Sequence, residues 1–374
     1  MTILHLNSYF IDNHLYGSLY RSLDGQCNQR VYIPMKFDRR PENAVDLPST
    51  ELHFDQVIRK DHKFRFWHKI RSMTKRVIEK NLHKDVDFVH AHNLYNDGVV
   101  AYQLKKKFGI PYIVAIRSTD VGLQYKLMIQ RRPYIHKVLA NADRIIFISE
   151  TYQLQLEQML PSKWKEKLSS KFQLIPNGID AFWHQNRREL QQAAREKSFG
   201  VLYVGQLQQR KHLLELIDAV DEINSTPKGP MHLIVVGGPN GMEEEYHQQV
   251  LRAVEASDAV EYKGKIQDKA ELLECYRSAS CFAMVSEYEL FGLVYIEALS
   301  QGLPVIYKAG EGISGYLQNA KAGIAVEGVS KEDIKEALLK CKEDYGQFEI
   351  EPSLVQPFNW EDIASIYLNL YHRK

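Results

Sequence analysis

Short apolar runs alternate with longer stretches of helical period along this 374-residue chain, and they do so in two series. The first series has apolar runs at 3–6, 31–33, 88–91, 112–116 and 144–149, and the pattern begins afresh at 200–204, 232–237, 260–262, 281–285 and 305–307. Runs this short between helical patterns read as buried strands, and regular strand–helix alternation builds a parallel sheet with helices on both faces. Two series imply two doubly wound, Rossmann-like α/β domains facing each other. The polar segment 181–198 reads as linker and flanking helix, which sets the domains at 1–182 and 183–356, and 357–374 reads as a final amphipathic helix. Ligands in such folds sit beyond the carboxyl ends of the strands, so the site is expected in the cleft between the domains.

Bulk composition removes several classes. Hydrophobic residues make up 44% of the chain, ordinary for a soluble protein with sizeable cores. A formal net charge of +1 argues against wholesale nucleic-acid binding. No run of 18 or more apolar residues exists, so no membrane-spanning helix is expected. The opening Met1-Thr-Ile-Leu-His-Leu reads as a strand, without the basic start and long apolar core of a signal peptide. Cys27, Cys275, Cys281 and Cys341 are scattered without zinc-ligand or redox spacing, which fits a reducing cytoplasm. No G-x-G-x-x-G follows the first strand, which argues against a dehydrogenase.

The segment Glu289-Leu-Phe-Gly-Leu-Val-Tyr-Ile-Glu297 places two carboxylates around a Phe-Gly-Leu turn. Gly302 suits the left-handed residue that ends a helix, and Pro304 forbids its continuation. Gly292 is expected where loop becomes helix. In one unbroken helix the glutamates would point about 80° apart. With Glu289 in the loop, both can face one pocket. The amides of Phe291, Gly292 and Leu293 would then point out of a helix N-terminus, where anions bind. A ligand with a diphosphate, a ribose and a polar sugar would use amides, dipole and carboxylates together. Two solvated glutamates on an exposed helix fit the same spacing.

Further groups stand at strand ends. Gly205 closes a strand, and Arg210 and Lys211 follow in its loop. Lysine offers a point charge and arginine a planar fork to a leaving diphosphate, although a solvated Arg-Lys pair is the plainer reading. Gly237-Gly238-Pro239-Asn240-Gly241 is either a nucleotide-facing turn or a surface turn. His90 and His92 alternate at another strand end, as acceptor-pocket residues or packed core. Two imidazoles are too few for a metal, and no other ligand is spaced nearby. Residues 59–80 carry nine Lys/Arg against two acids, with Phe66, Ile70, Met73 and Val77 at helical spacing and Trp67 beside them. Such a helix either lies on an anionic membrane or packs on its own domain.

The ordered set of these stretches resembles family 4 of the retaining glycosyltransferases, two-domain enzymes of GT-B architecture with an E-x7-E segment. Val89-His-Ala-His92, Gly109-Ile-Pro-Tyr-Ile-Val114, Ala142-Asp-Arg-Ile-Ile-Phe-Ile-Ser149, Ile175-Pro-Asn-Gly-Ile-Asp180, Leu202-Tyr-Val-Gly205 with Lys211, and Phe358-Asn-Trp360 with Tyr367 and Tyr371 follow the family's order. The resemblance implies a metal-independent enzyme that moves a hexose-type sugar from a nucleotide-diphosphate sugar, UDP- or GDP-linked, to a glycan or lipid-linked acceptor. It gives Glu289 the donor sugar and reacting region, Glu297 the ribose hydroxyls, the Phe291–Leu293 backbone the sugar or phosphate, and Arg210 and Lys211 the leaving diphosphate. An arginine usually follows the glycine of the first loop; here Gln206 stands there, and Arg210 is expected to supply the charge. On the acceptor side the resemblance thins. The family's glycine-rich first turn is reduced to Gly17, within an aromatic stretch that includes His14. Its "HG-D" loop becomes Arg117-Ser-Thr-Asp120, with Arg117 a candidate for an anionic acceptor. The pair Asp85-Val-Asp87 matches the D-x-D of metal-dependent transferases of another fold, but it precedes a strand, and no metal or other cofactor is expected. A sugar-nucleotide epimerase of the same fold and a non-catalytic nucleotide-sugar sensor remain as alternatives. The implied setting is cytoplasmic, free or peripheral on the inner membrane face, in polysaccharide or glycoconjugate assembly.

Overall fold

The computed structural model describes residues 1–12, 15–36, 45–189, 199–227, 230–239, 241, 243–289 and 291–372. His14 and Asn240, named above, lie outside these residues. The chain divides into two compact units, Met1–Gly178 with Trp360–Lys374, and Ile179–Asn359. The sequence pattern had put these divisions at 182/183 and 356/357.

Unit 1 is built on a seven-stranded sheet: β1 (Thr2–Leu6), β2 (Asn28–Met35), β3 (Thr50–Gln56), β4 (Phe88–Ala91), β5 (Tyr112–Ile116), β6 (Arg144–Phe147) and β7 (Phe172–Leu174). Every pairing is parallel, in the order β3-β2-β1-β4-β5-β6-β7. The central strands are buried on both faces, as crossover helices require. One face packs on Leu15–Leu23 and on the last helix, Trp360–His372, through Leu19, Tyr20, Ile363 and Tyr367. The other packs on Phe66–Glu79, Val99–Phe108 and Arg132–Asn141. The stripe Phe66, Ile70, Met73 and Val77 is therefore core, so the apolar side of the basic helix faces its own sheet.

Unit 2 has six strands: β8 (Phe199–Val204), β9 (Met231–Val236), β10 (Val260–Tyr262), β11 (Cys281–Met284), β12 (Val305–Lys308) and β13 (Gly323–Val326). They too are all parallel, in the order β10-β9-β8-β11-β12-β13. Each sheet reverses its strand order once, between β1 and β4 and between β8 and β11. Crossovers leave to opposite faces at such a point and open a crevice at the carboxyl ends.

Gly178, in the turn that leaves unit 1, meets the first residue of the returning helix. A Cβ there would come within 2.6 Å of Cδ2 of the Trp360 indole, which is buried. Overpacking of this kind costs typically about 1–3 kcal/mol. Gly178→Ala is expected to lower the thermal midpoint by several degrees in calorimetry, and an unchanged midpoint would show that the indole moves aside freely.

Candidate active site

In unit 2 the loops after β8 and β11 bring Gly205, Arg210, Lys211 and Glu289 together. Gly205 follows β8 directly, and a Cβ on it would lie 2.6 Å from the Lys211 Nζ, so the ammonium packs over the bare strand end and would have to swing aside for a larger residue. A Cβ on Gly237 would meet the Gly205 carbonyl at 1.8 Å, so the neighbouring strand needs glycine for the same approach. Arg210 Nη1 donates to Ser286 Oγ at 3.1 Å, to the Glu287 carbonyl at 3.1 Å and to Glu289 Oε2 at 3.4 Å. Burial lowers the Lys211 pKa, and the nearby Glu289 charge opposes that shift. His212 Nε2 meets Glu287 Oε2 at 2.9 Å and ties the two loops together again. The sites the sequence pattern named separately thus form one cluster of two cations over a carboxylate. Gln206 is exposed, and its carbonyl accepts from the Tyr203 hydroxyl at 3.0 Å.

Gly292 is the residue before the helix Leu293–Ser300, at φ +74°, and a Cβ would strike the Tyr295 ring at 2.5 Å. The Phe291 ring is buried against Phe358, 5.2 Å between centroids. Leu293 opens the helix. Glu297, on the same helix, accepts from the Tyr276 hydroxyl at 3.1 Å. Burial raises its carboxyl to about 7, with the Tyr276 hydrogen bond opposing and the Asp180 charge adding.

In unit 1 the corresponding strand ends carry a different chemistry. Asp120 Oδ2 accepts the N–H of Arg117 at 2.9 Å and of Leu94 at 3.1 Å. Asp97 Oδ2 accepts the Ser8 N–H at 3.1 Å and a hydrogen bond from Asn93 Nδ2. Both aspartates are fully buried, and their Oδ1 atoms have no partner among the described residues. Burial raises the Asp97 carboxyl to about 8, against its bonds to Ser8, and Asp120 to about 6, against its backbone donors. Arg117 is buried as well, its Nε spent on the His92 carbonyl at 2.9 Å and its guanidinium 5.6 Å from the Tyr16 ring centre. Gly17 lies within the helix Leu15–Leu23.

His90 and His92 are wholly buried, His92 against Tyr16 and Tyr20 of that helix and His90 against Tyr367 and Tyr371 of the last one, and they meet a third imidazole that their spacing does not announce. His5 on β1 pairs with His90 in register. His5 Nδ1 lies 3.1 Å from His92 Nε2, and His90 Nδ1 lies 2.7 Å from the Tyr371 hydroxyl. Ring nitrogens of the three fall within 4.8 Å of one another. The His90 and His92 rings stack at 4.0 Å, however, and stacked rings send their lone pairs out in parallel planes rather than to the single point a tetrahedral ion occupies. Asp87 of the D-x-D takes the Thr2 N–H at 2.8 Å, a tie at the start of the sheet. Asp97, Ser8 and Asn93 escaped the sequence pattern; the signal available was the polar run Asn93-Leu-Tyr-Asn-Asp97 directly after a strand.

Two family models match the chain, "Glycosyltransferase Family 4" over residues 19–181 and "Glycosyl transferases group 1" over 185–351. A D-inositol 3-phosphate glycosyltransferase of Paenarthrobacter aurescens is 24% identical over 313 residues, 79% of this chain and 75% of that one. A probable sucrose-phosphate synthase of Thermosipho melanesiensis is 28% identical over 314 residues, 77% and 70% of the two chains. The chain is a family 4 glycosyltransferase. Its architecture is GT-B. The sucrose-phosphate synthase of Thermosynechococcus elongatus superposes at TM-score 0.76 with 21% identity, over 99% of this chain and 98% of that one. HepE of Anabaena, in complex with UDP and glucose, superposes at 0.71 with 17% identity, over 99% of both. Within this glycosyltransferase, the cations sit at the carboxyl edge of unit 2 and the buried carboxyl groups at that of unit 1.

Asp97 gives a pH test of the unit 1 site. Its folded pKa of about 8 stands far above the unfolded value, so folding takes up a proton between roughly pH 4 and 8 and stability from this group grows as pH falls. The buried histidines act in the opposite sense, because burial lowers His5 to about 3 and holds His90 and His92 well below their usual value. Asp97→Asn removes one proton of compensation. The acid loss of stability between pH 4 and 6 should steepen by about 1.4 kcal/mol per pH unit relative to wild type in denaturant titrations. Equal slopes would mean that Asp97 is ionised in the folded protein.

Proposed function

We propose that this glycosyltransferase moves a hexose-type sugar from a nucleotide-diphosphate sugar, UDP-linked in preference to GDP-linked, with retention at the anomeric carbon. The observation that carries the reading is the Arg210–Lys211–Glu289 cluster at the strand-order reversal of unit 2. Two cations fixed before the donor arrives stabilise charge as it develops on a leaving diphosphate, and fixed charges need no reorganisation in the transition state. They supply this without a metal ion. Retention by attack on the face that the diphosphate leaves requires no enzyme nucleophile with an acid partner about 5 Å away. Glu289 meets the donor sugar, Glu297 the ribose hydroxyls, and the Gly292–Leu293 amides the phosphate. The UDP-glucose complex of HepE supports a UDP-sugar. The acceptor is a glycan or lipid-linked glycan of polysaccharide or glycoconjugate assembly, held among Ser8, Asn93, Asp97, Arg117 and Asp120. Closed by burial and backbone donors, that group is suited to sugar hydroxyls.

Thermal stabilisation across a panel of nucleotide-diphosphate sugars with EDTA present tests donor and metal together. A shift with one UDP-sugar is expected, and a shift that appears only on adding a divalent ion would overturn the metal-free mechanism. Glu289→Ala should lower kcat on the order of a hundredfold with the fold intact. Glu297 accepts ribose hydroxyls best when ionised, so donor affinity should rise as pH climbs through about 7. Glu297→Gln should raise donor KM about tenfold and flatten that dependence. Wild-type turnover in both variants would remove these role assignments.

A membrane is the second partner proposed. No helix among the described residues is long and apolar enough to cross one. A groove of about 980 Å³ on unit 1 is lined by the apolar Trp67, Ile78 and Tyr134, by the cations Arg71, Lys75, Lys106 and Lys107, and by Glu79. Phe64 is 84% exposed just before this helix. Apolar anchors ringed by cations fit an anionic phospholipid surface, at roughly 1 kcal/mol per basic residue. The protein should sediment with phosphatidylglycerol vesicles at low salt and be released by salt, and no sedimentation at low salt would discard the partner.

A further inference from the structure

Tyr288 has φ 55°, one of four residues other than glycine with positive φ among those described. L-residues resist this left-handed conformation because Cβ crowds the backbone, and it persists only where the surroundings enforce it. The Tyr288 ring is 79% exposed, so ring packing does not supply the force. The backbone is gripped instead. Glu311, in the turn after β12, accepts the Tyr288 N–H on Oε1 and the Glu289 N–H on Oε2, each at 3.0 Å. One residue earlier, the Glu287 N–H donates to the Arg210 carbonyl at 2.8 Å. Segment 287–289 is thus held by a carboxylate on one side and by the cationic loop on the other.

The choice of a carboxylate is electrostatically unfavourable. Burial raises the Glu311 pKa, the two amide donors oppose that shift, and the Glu289 charge adds to it. A second carboxyl group beside the one that faces the donor weakens neither the grip nor the turn, but it puts like charges together. A bidentate acceptor for two consecutive amides is what the position gains in return.

We propose that Glu311 is a positioning residue for the transfer reaction: by holding both amides it forces the left-handed turn at Tyr288, and so aims the Glu289 carboxylate at Arg210 and Lys211. The proposal rests on the reading of Glu289 as the donor-facing carboxylate. It has a distinctive consequence. Glycine adopts positive φ without strain, so glycine at position 288 makes the grip of Glu311 largely redundant.

The test uses the full chain as wild type, E311A, E311Q, Y288G and Y288G/E311A. Three quantities are measured: UDP release from UDP-glucose, UDP affinity and thermal midpoint. E311A should lower kcat by at least about tenfold while UDP affinity stays within about twofold, since UDP lacks the sugar that Glu289 meets. E311Q keeps one acceptor oxygen and should lose less. Y288G/E311A should recover to within about threefold of Y288G. Turnover of E311A within about twofold of wild type, or a double variant no better than E311A, overturns the proposal. If wild type releases no UDP from UDP-glucose, the donor reading fails on its own, and the midpoints decide the positioning claim. E311A should then cost several degrees in the Tyr288 background and little in the Y288G background; equal losses overturn it.

Discussion

Strand direction decides where chemistry can sit in this protein. All strands of each sheet are parallel, so every loop at one edge follows a carboxyl end, and each sheet reverses its order once. Around each reversal the same three loops are used. In unit 1 they follow β1, β4 and β5 and carry Ser8, Asn93 with Asp97, and Arg117 with Asp120. In unit 2 they follow β8, β11 and β12 and carry Arg210 with Lys211, Glu289, and Glu311. One topological plan thus presents two sets of side chains, and the difference between the units lies in the residues placed on it.

Those residues divide the electrostatic labour. Unit 2 sets two cations, Arg210 and Lys211, beside the Glu289 carboxylate, an arrangement suited to a diphosphate. Unit 1 buries its carboxyl groups away from any ion-paired cation and holds them with backbone N–H groups and an asparagine. At a pKa of about 8, Asp97 is largely a neutral acid at pH 7, able to donate as well as accept. Asn93 and a largely protonated Asp97 are neutral hydrogen-bonding groups suited to hydroxyls, and they stand beside the charged Arg117 and Asp120. On the proposed assignment of the donor to unit 2 and the acceptor to unit 1, the two ligands would meet surfaces of different character, which would limit binding of either in the other's place.

Much of this was legible in the chain because buried parallel strands are nearly continuous apolar runs. The ten strands expected are all present, and the three not foreseen, β3, β7 and β13, are edge strands. An edge strand is covered less on its faces and can do without an apolar run: Thr-Glu-Leu-His-Phe-Asp-Gln at β3 alternates and β7 is Phe-Gln-Leu, whereas β13, Gly-Ile-Ala-Val, is an apolar run of only four residues. The E-x7-E segment and its glycine were visible because a tight turn constrains consecutive residues. The helix at 66–79 showed its stripe, but periodicity alone does not say whether a stripe meets lipid or its own sheet. His5, Asp97 and Glu311 were not legible as site residues. Each acts through partners brought in by the fold, His5 through His92 across 87 positions and Glu311 through amides 22 and 23 positions away, and no local spacing encodes such a contact.

At position 206 a glutamine stands where the resemblance implies an arginine. It is exposed, and Arg210, four residues on, contacts the loop after β11. All three contacts of Arg210 to Ser286, Glu287 and Glu289 are made by Nη1. Nε–H and the Nη2 amine are not used in them. A guanidinium has five donors in a rigid fork, so one arm fixes the loop that bears Glu289 while the other edge presents to a phosphate. An ammonium has three donors at one point, and the same loop contacts would exhaust them. Under the proposed mechanism, arginine at 210 would both hold the loop that bears Glu289 and supply charge to the leaving group, and Lys211 beside Gly205 would need only the second.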